Sequence, residues 1–310
     1  MHVLVTGSSG LIGTALVDRL VADGHRVTRL VRADSARSAA RPPGVDDVVW
    51  DPVQGTVDIG AIDTAGQMAG VVHLAGAGVG DKRWSPARKQ VILGSRIGGT
   101  GLLASTLGKL SSPPKVLVSS SAVGFYGDRG EEILDEQSTV GTGFLADVCE
   151  AWEAAAAPAA AAGIRTVLLR TGIVLSAAGG ALAKQLPLFR LGLGGRVGTG
   201  RQYRSWITLD DHIGAILHCL TDGTLSGPVN ATSPEPATDA EMAAAIGGAL
   251  HRRSFLAVPA PALKVLLGSE MAADLVLSSQ RVLPSKLMAS GYDFTLTDLD
   301  GAMRSVLRAS

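Results

Sequence analysis

A short apolar strand, Met1-His2-Val3-Leu4-Val5, runs straight into Thr6-Gly7-Ser8-Ser9-Gly10-Leu11-Ile12-Gly13. Three glycines in the spacing Gly-x-x-Gly-x-x-Gly join that strand to a segment whose Ile12, Ala15, Leu16 and Leu20 form one helical stripe. In this setting each glycine has a task. One permits a tight turn, one lets the backbone approach a pyrophosphate, and one lets the helix pack closely on the strand. Phosphates would meet free amides and the positive end of the helix dipole. The order strand, glycine turn, helix therefore predicts a dinucleotide-binding unit, with Gly24 ending the helix and Arg26–Val31 as the second strand. A glycine-rich turn without a ligand is the competing reading.

Strand and helix signals go on alternating through the first half. Strands are expected at 45–50, 71–75, 116–121 and 166–170. Helices are expected over 86–110 and over the alanine-rich run 145–162, the latter kinked at Pro158. The apolar run Val71-Val72-His73-Leu74-Ala75 suits a strand buried on both faces. Repeated β-α-β units predict an α/β fold, a doubly wound parallel (Rossmann) sheet with right-handed crossovers. Beyond Thr171 the rhythm changes, although Pro228-Val229-Asn230-Ala231 reads as one more strand, and Asp210-Asp211 is expected to cap a helix starting near His212. The expected organisation is a Rossmann domain over residues 1–175, also receiving 207–232. A smaller substrate lobe, 176–206 and 233–310, would cover the carboxyl ends of the strands, where ligands bind in such sheets.

Composition narrows the function classes. The chain of 310 residues balances 28 Lys+Arg against 28 Asp+Glu, so no basic excess points to nucleic acid or an anionic membrane. No segment approaches the roughly 20 apolar residues of a membrane span, and the start lacks a signal-peptide pattern. Cys149 and Cys219 are the only two cysteines, and the six histidines have no ligand spacing. A cytoplasmic protein acting on a small molecule, with no metal, is the expectation.

Several further motifs occur in order. They include His73-Leu74-Ala75-Gly76-Ala77, Ser119-Ser120-Ser121-Ala122 followed by Tyr126-Gly127, Gly198-Thr199-Gly200-Arg201-Gln202, and Trp206-Ile207-Thr208-Leu209-Asp210-Asp211. Together with the glycine turn, they resemble the extended short-chain dehydrogenase/reductase family, which includes nucleotide-sugar epimerases and dehydratases. Asp81-Lys82-Arg83-Trp84, Phe144-Leu145-Ala146-Asp147-Val148-Cys149 and Arg281-Val282-Leu283-Pro284-Ser285-Lys286-Leu287 resemble an atypical branch carrying a small appended C-terminal domain. The resemblance implies cofactor contacts from Thr6, Gly7, Ser9, Gly10, Leu11, Ile12, Gly13, Leu74, Ala75, Gly76 and Arg170. Many relatives pair through two helices flanking the sheet, which leaves a homodimer open.

Arg32 ends the second strand, where NAD enzymes usually place an acid on the ribose diol. A guanidinium suits a 2′-phosphate through paired charge-assisted hydrogen bonds, which favours NADP over NAD, with Arg37 as a helper. A solvated arginine at a strand end is the alternative. Asp51 reads equally as an adenine contact or a turn residue.

Hydride transfer in the family uses a Ser, a Tyr and a Lys in Tyr-x-x-x-Lys spacing, where the ammonium favours the phenolate. Ser121 fits the serine position, but Phe144 and Val148 occupy the tyrosine and lysine positions, and Arg96 replaces a usual Asn. Two readings follow. In one, the site is catalytic as an NADP-dependent oxidoreductase or epimerase-like enzyme on a small anionic substrate. Ser121 and Tyr126 would then be catalytic, and Lys82, Trp84, Arg96, Arg204 and Trp206 would bind substrate. In the other, the protein binds NADP without turnover, as a sensor or interaction module. Cys149 and Glu153 read as structural.

Overall fold

Val3, Leu4 and Val5 are all fully buried, although successive strand residues point to opposite faces. Val3 and Val5 pack into one core cluster and Leu4 into another, so the sheet they belong to is covered on both sides. The computed structural model describes residues 1–33 and 43–308. Eight strands form the central sheet: β1 (His2–Thr6), β2 (Arg26–Val31), β3 (Val45–Asp51), β4 (Thr56–Val57), β5 (Gly70–His73), β6 (Val116–Ala122), β7 (Arg165–Thr171) and β8 (Gly227–Ala231). Their spatial order is β8-β7-β6-β5-β1-β2-β3-β4, and only the short edge strand β4 runs antiparallel to its neighbour. The expected doubly wound α/β architecture is present. Strand order reverses between β1 and β5, which makes the crevice beyond their carboxyl ends the place for a ligand.

One face of the sheet is covered by helices Leu11–Ala22 and Leu209–Thr221 through Leu16, Leu20, Ile213 and Ile216. The other is covered by helix Pro86–Leu107 through Leu103, Ala104 and Leu107. A separate core joins helices Gly180–Arg190, Asp239–Ala249 and Leu299–Arg308 around Leu182, Phe189, Ile246 and Met303.

Two local expectations change. Pro158 does not kink one long helix. The run divides into helices Phe144–Ala154 and Ala157–Ala161, with Pro158 in the first turn of the second, where its missing N–H costs nothing. Helix Leu209–Thr221 is capped by Thr208, whose hydroxyl accepts the Asp211 amide at 3.1 Å, and not by Asp210 or Asp211. Asp211 instead turns its carboxylate to the amides of Thr295 and Leu296, at 2.8 and 3.2 Å, and so ties the C-terminal segment to this helix.

Candidate functional site

The glycine turn is built on close backbone approach. Gly7 has φ +67°, and a Cβ there would lie 2.7 Å from the Leu74 carbonyl carbon in the loop after β5. A Cβ on Gly13 would overlap the Gly7 carbonyl oxygen. Gly10 caps helix Leu11–Ala22 without a side-chain bond, and no acid stands in its first turn. That leaves the positive end of the helix dipole available to an anion. Thr6 is fully buried, and its hydroxyl oxygen accepts the amides of Leu74 and Ala75 at 3.2 and 3.3 Å, locking the two loops together. Ser9 and Gly10 are exposed at the rim. Leu11 packs against Gly179 and Gly180 of the smaller lobe. These residues fit a dinucleotide phosphate: the cradle excludes side chains where phosphate oxygens need room. Arg32 is exposed at the end of β2, and Arg37 lies outside the described residues. Asp51 is a turn residue, its carboxylate accepting the amides of Val53 and Gln54 at 2.9 and 3.0 Å.

Beside this cradle lies a cavity of about 270 Å³ at the carboxyl ends of β6 and β7. Ala122, Val123, Leu145, Val148, Trp152 and Ile173 give it apolar walls, while Arg96, Tyr203, Arg204 and Asp274 supply its ionisable and phenolic groups. Arg96 connects the two places. It lies 3.5 Å from the Cβ position of Gly76, lines the cavity, and stacks its guanidinium 4.7 Å from the Trp152 ring centre. Its Nη1 donates to the carbonyls of Ala77 and Ile92, at 2.9 and 3.2 Å. Arg204 is held by Asp239 at 3.2 Å and by the Val276 carbonyl.

The predicted catalytic pair sits below the cavity floor. Ser121 is 3% exposed and donates to Glu153 at 2.6 Å. Arg170 grips both oxygens of Glu153 at 2.8 Å and donates to the Tyr126 hydroxyl at 3.0 Å. Tyr126 in turn donates to Asn230 Oδ1 at 2.7 Å. Tyr126 is fully buried, and burial pushes its pKa to about 12 against the pull of Arg170. A proton held there has no path to a substrate, so the expectation that Tyr126 acts as the acid/base does not fit its placement. Arg170 likewise cannot reach a cofactor, because Glu153 and Tyr126 occupy it and the Phe125 ring lies 3.5 Å from its guanidinium. Glu153 is the hub of this network, a structural role as expected, although its position in the sequence did not disclose its partners Ser121 and Arg170.

The substrate candidates divide. Arg96 and Arg204 line the cavity. Trp84 is half-buried, donates to the Val79 carbonyl at 2.9 Å, and packs edge-on against Phe144 at 4.9 Å. Lys82 is exposed. Trp206 is fully buried in the core of the smaller lobe, its indole donating to the Glu235 carbonyl at 3.0 Å, so it packs and does not face the cavity. Cys149 lies in the cavity wall, and burial pushes its thiol to about 12, which leaves it unreactive.

A second buried chain links cradle and cavity. His73 bonds Thr6 through Nδ1 at 2.7 Å and Thr100 through Nε2 at 2.9 Å, and the Trp152 indole donates to the same Thr100 hydroxyl at 2.9 Å. Desolvation lowers the His73 pKa to about 4, so the ring is neutral at physiological pH. Among the described residues no cluster is arranged to hold a metal ion, and no helix is long and apolar enough to cross a membrane.

Comparison with known proteins agrees with this geometry. Residues 3–231 match the family described as NAD dependent epimerase/dehydratase, and residues 258–306 match a Domain of unknown function (DUF1731). An epimerase family protein of Mycobacterium bovis is 42% identical over 292 residues, covering 94% of this chain and 93% of its own. The crystal structure of human epimerase family protein SDR39U1 with NADPH matches with a TM-score of 0.87 at 33% identity, covering 100% of both chains. A nucleoside-diphosphate sugar epimerase from Corynebacterium glutamicum matches with a TM-score of 0.78 at 35% identity, covering 99% of this chain and 58% of that one. With a nucleotide cradle at the switch point, a cavity beside it and these matches across its length, the chain belongs to the NAD dependent epimerase/dehydratase family.

Proposed function

We propose that the protein is an NADP-dependent oxidoreductase that reduces a small anionic carbonyl compound held in the cavity beside the glycine cradle. One observation carries this reading: Arg96 lies against Gly76 in the cradle loop and also lines the cavity, so the two sites are contiguous. A bound dinucleotide would be held by the amides of residues 10–13 and the backbone of the 74–76 loop. When bound and reduced, it supplies a hydride. The protein's own groups orient the acceptor: Arg96 and Arg204 provide positive charge, and the apolar walls exclude water. Hydride reduction is favoured over sugar epimerisation because neither Phe144 nor Val148 can exchange a proton, and an epimerase must move its hydrogen out and back.

Arg32 supports NADP over NAD. It stands exposed where β2 ends, and the human relative at 33% identity is described with NADPH. Removing a charge-assisted pair to a 2′-phosphate costs about 1.5–3 kcal/mol, roughly ten- to a hundredfold in affinity. Arg32→Ala is therefore expected to weaken NADPH binding by that factor and leave NADH binding unchanged, as read from nicotinamide fluorescence titrations. Tighter binding of NADH than NADPH by the unaltered protein would remove the NADP assignment. The sealed hydroxyls of Ser121 and Tyr126 favour the second reading, binding without turnover. A panel of quinones, ketones and nucleotide sugars, followed by NADPH oxidation, separates the two.

A further inference from the structure

Without Tyr126 and Ser121, and with Phe144 and Val148 where a proton-transferring dyad would stand, the cavity needs another group that can carry a proton. Asp274 is a carboxyl on its wall. It comes from the C-terminal lobe, in a wide π-type turn, Ala273–Leu277, inside an otherwise apolar stretch. Such turns recur at functional sites, and a lone carboxyl among apolar residues calls for a partner or a task. Asp274 Oδ2 accepts the Leu145 amide at 3.3 Å, which seats the carboxyl at the start of helix Phe144–Ala154. The preceding residue is Gly143, with φ +110°, whose Cβ position lies 3.2 Å from that same oxygen.

We propose that Asp274, carried to the cavity by the C-terminal lobe, is the proton-transferring group of this site and stands in for the tyrosine absent at Phe144. This rests on the reductase reading above. In the step, one hydride and one proton convert a carbonyl to an alcohol. The O–H bond of Asp274 breaks, a new O–H bond forms on the substrate oxygen, and the carboxylate regains a proton from solvent. Burial raises the Asp274 pKa above the usual carboxylate range, the Leu145 amide opposes this, Glu270 adds to it, and the Phe144 amide and Lys89 pull it down. Lys89 comes from helix Pro86–Leu107 and pairs with Glu270 at 2.6 Å, so those two charges face the carboxyl largely as a neutral pair. Arg96 and Arg204 are the cations that share the cavity.

A purely structural role, tying the lobe to the helix start, is the rival, and Asp274→Asn separates them. Asparagine keeps an oxygen to accept the Leu145 amide but cannot titrate. With NADPH and phenanthrenequinone as the probe pair, Asp274→Asn is expected to lower kcat by about a hundredfold, within the range for loss of a general acid. It should also abolish the alkaline decline of the wild-type pH profile. NADPH affinity and urea stability should stay close to wild type. A readout independent of turnover comes from carboxyl carbon NMR. The resonance missing in Asp274→Asn should titrate above the usual carboxylate range in the free protein and shift when the quinone is added.

Three results would overturn the assignment: an ordinary titration of that resonance, no response to the quinone, or an alkaline limb that persists in Asp274→Asn and vanishes in Tyr203→Phe. Failure of the unaltered protein to bind NADPH would instead defeat the reductase reading.

Discussion

At the glycine turn a Cβ on Gly13 would overlap the Gly7 carbonyl oxygen, whereas at the cavity floor Arg170 holds both oxygens of Glu153 at 2.8 Å. The first region is fitted together by absent atoms. Its closest approaches are backbone to backbone, at Gly7 against the loop after β5 and at Gly13 against Gly7, with the Thr6 hydroxyl as a side-chain tie between the loops. The second is fitted together by present atoms, a chain of side chains from Ser121 through Glu153, Arg170 and Tyr126 to Asn230. The two therefore fail in opposite ways: the cradle breaks when an atom is added, and the floor breaks when one is removed. The difference also separates roles. A surface of bare backbone amides suits an anion that must come close, while a saturated side-chain network ties the ends of three neighbouring strands together and leaves no donor for a substrate.

The largest effect is expected from adding atoms to the cradle. Gly13→Val drives two methyl groups into the backbone of the turn, where no flexible side chain can give way. Overpacking of this kind costs about 1–3 kcal/mol of stability or more. The heavier consequence is for the ligand, since the turn must open and the amides lose their common direction. NADPH titration should show no saturable binding, although circular dichroism still reports a folded sheet. A Gly13→Val protein that binds NADPH like the parent would show that close packing is irrelevant to the cradle.

Next in size is the removal of an atom from the floor. Arg170→Met leaves the Glu153 carboxylate buried with only the Ser121 hydroxyl beside it. Stranding one partner of a buried ion pair costs about 3–5 kcal/mol. Urea unfolding should show that loss, and Glu153→Gln added to Arg170→Met should recover a large part of it. Because Arg170 has no exposed face toward the cradle, the folded fraction should bind NADPH normally. A selective loss of NADPH affinity in Arg170→Met would restore the cofactor role that the family resemblance implied for this residue.

These two regions also differ in how readable they are from sequence. The cradle is contiguous, and its glycines, strand and helical stripe fall within the first 20 residues, so local chemistry announces it. The floor joins residues 104 positions apart, Tyr126 and Asn230, through a sheet whose strand order is itself a tertiary fact. Tyr126 sits near the carboxyl end of β6, which made it a candidate for the open site. What sequence alone could not display was the buried amide oxygen of Asn230 and the guanidinium of Arg170, which between them take up the phenol as donor and as acceptor. Trp206 misled for a related reason. Its motif marks a segment beside the cavity, yet the strand is interrupted at Ser205, and the Trp206 ring packs into the smaller core while Tyr203, Arg204 and Ser205 line the space. Asp274 had one faint signal, a charge within Met271–Leu277 where every other residue is apolar or alanine, and nothing local told which cavity it would reach.

The smallest effect is expected from the mildest change to the floor. Tyr126→Phe removes one oxygen and keeps the ring that packs with Phe125 at 5.5 Å. Asn230 Oδ1 then loses its donor and Arg170 loses one acceptor, while Asn230 still donates to the Leu283 carbonyl at 3.0 Å and Arg170 still grips Glu153. The cost of such a deletion is about 1–3 kcal/mol. In the Arg170→Met background part of that cost has already been incurred, so the two losses should not add, and the shortfall measures the coupling between the phenol and the guanidinium. Turnover gives the complementary answer. If the hydroxyl only holds strands together, kcat with phenanthrenequinone should change less than about threefold, against the hundredfold or greater loss typical of a missing general acid. A stable Tyr126→Phe protein with its turnover gone would reverse the roles of floor and wall, and would mean that the floor opens to the cavity during the reaction.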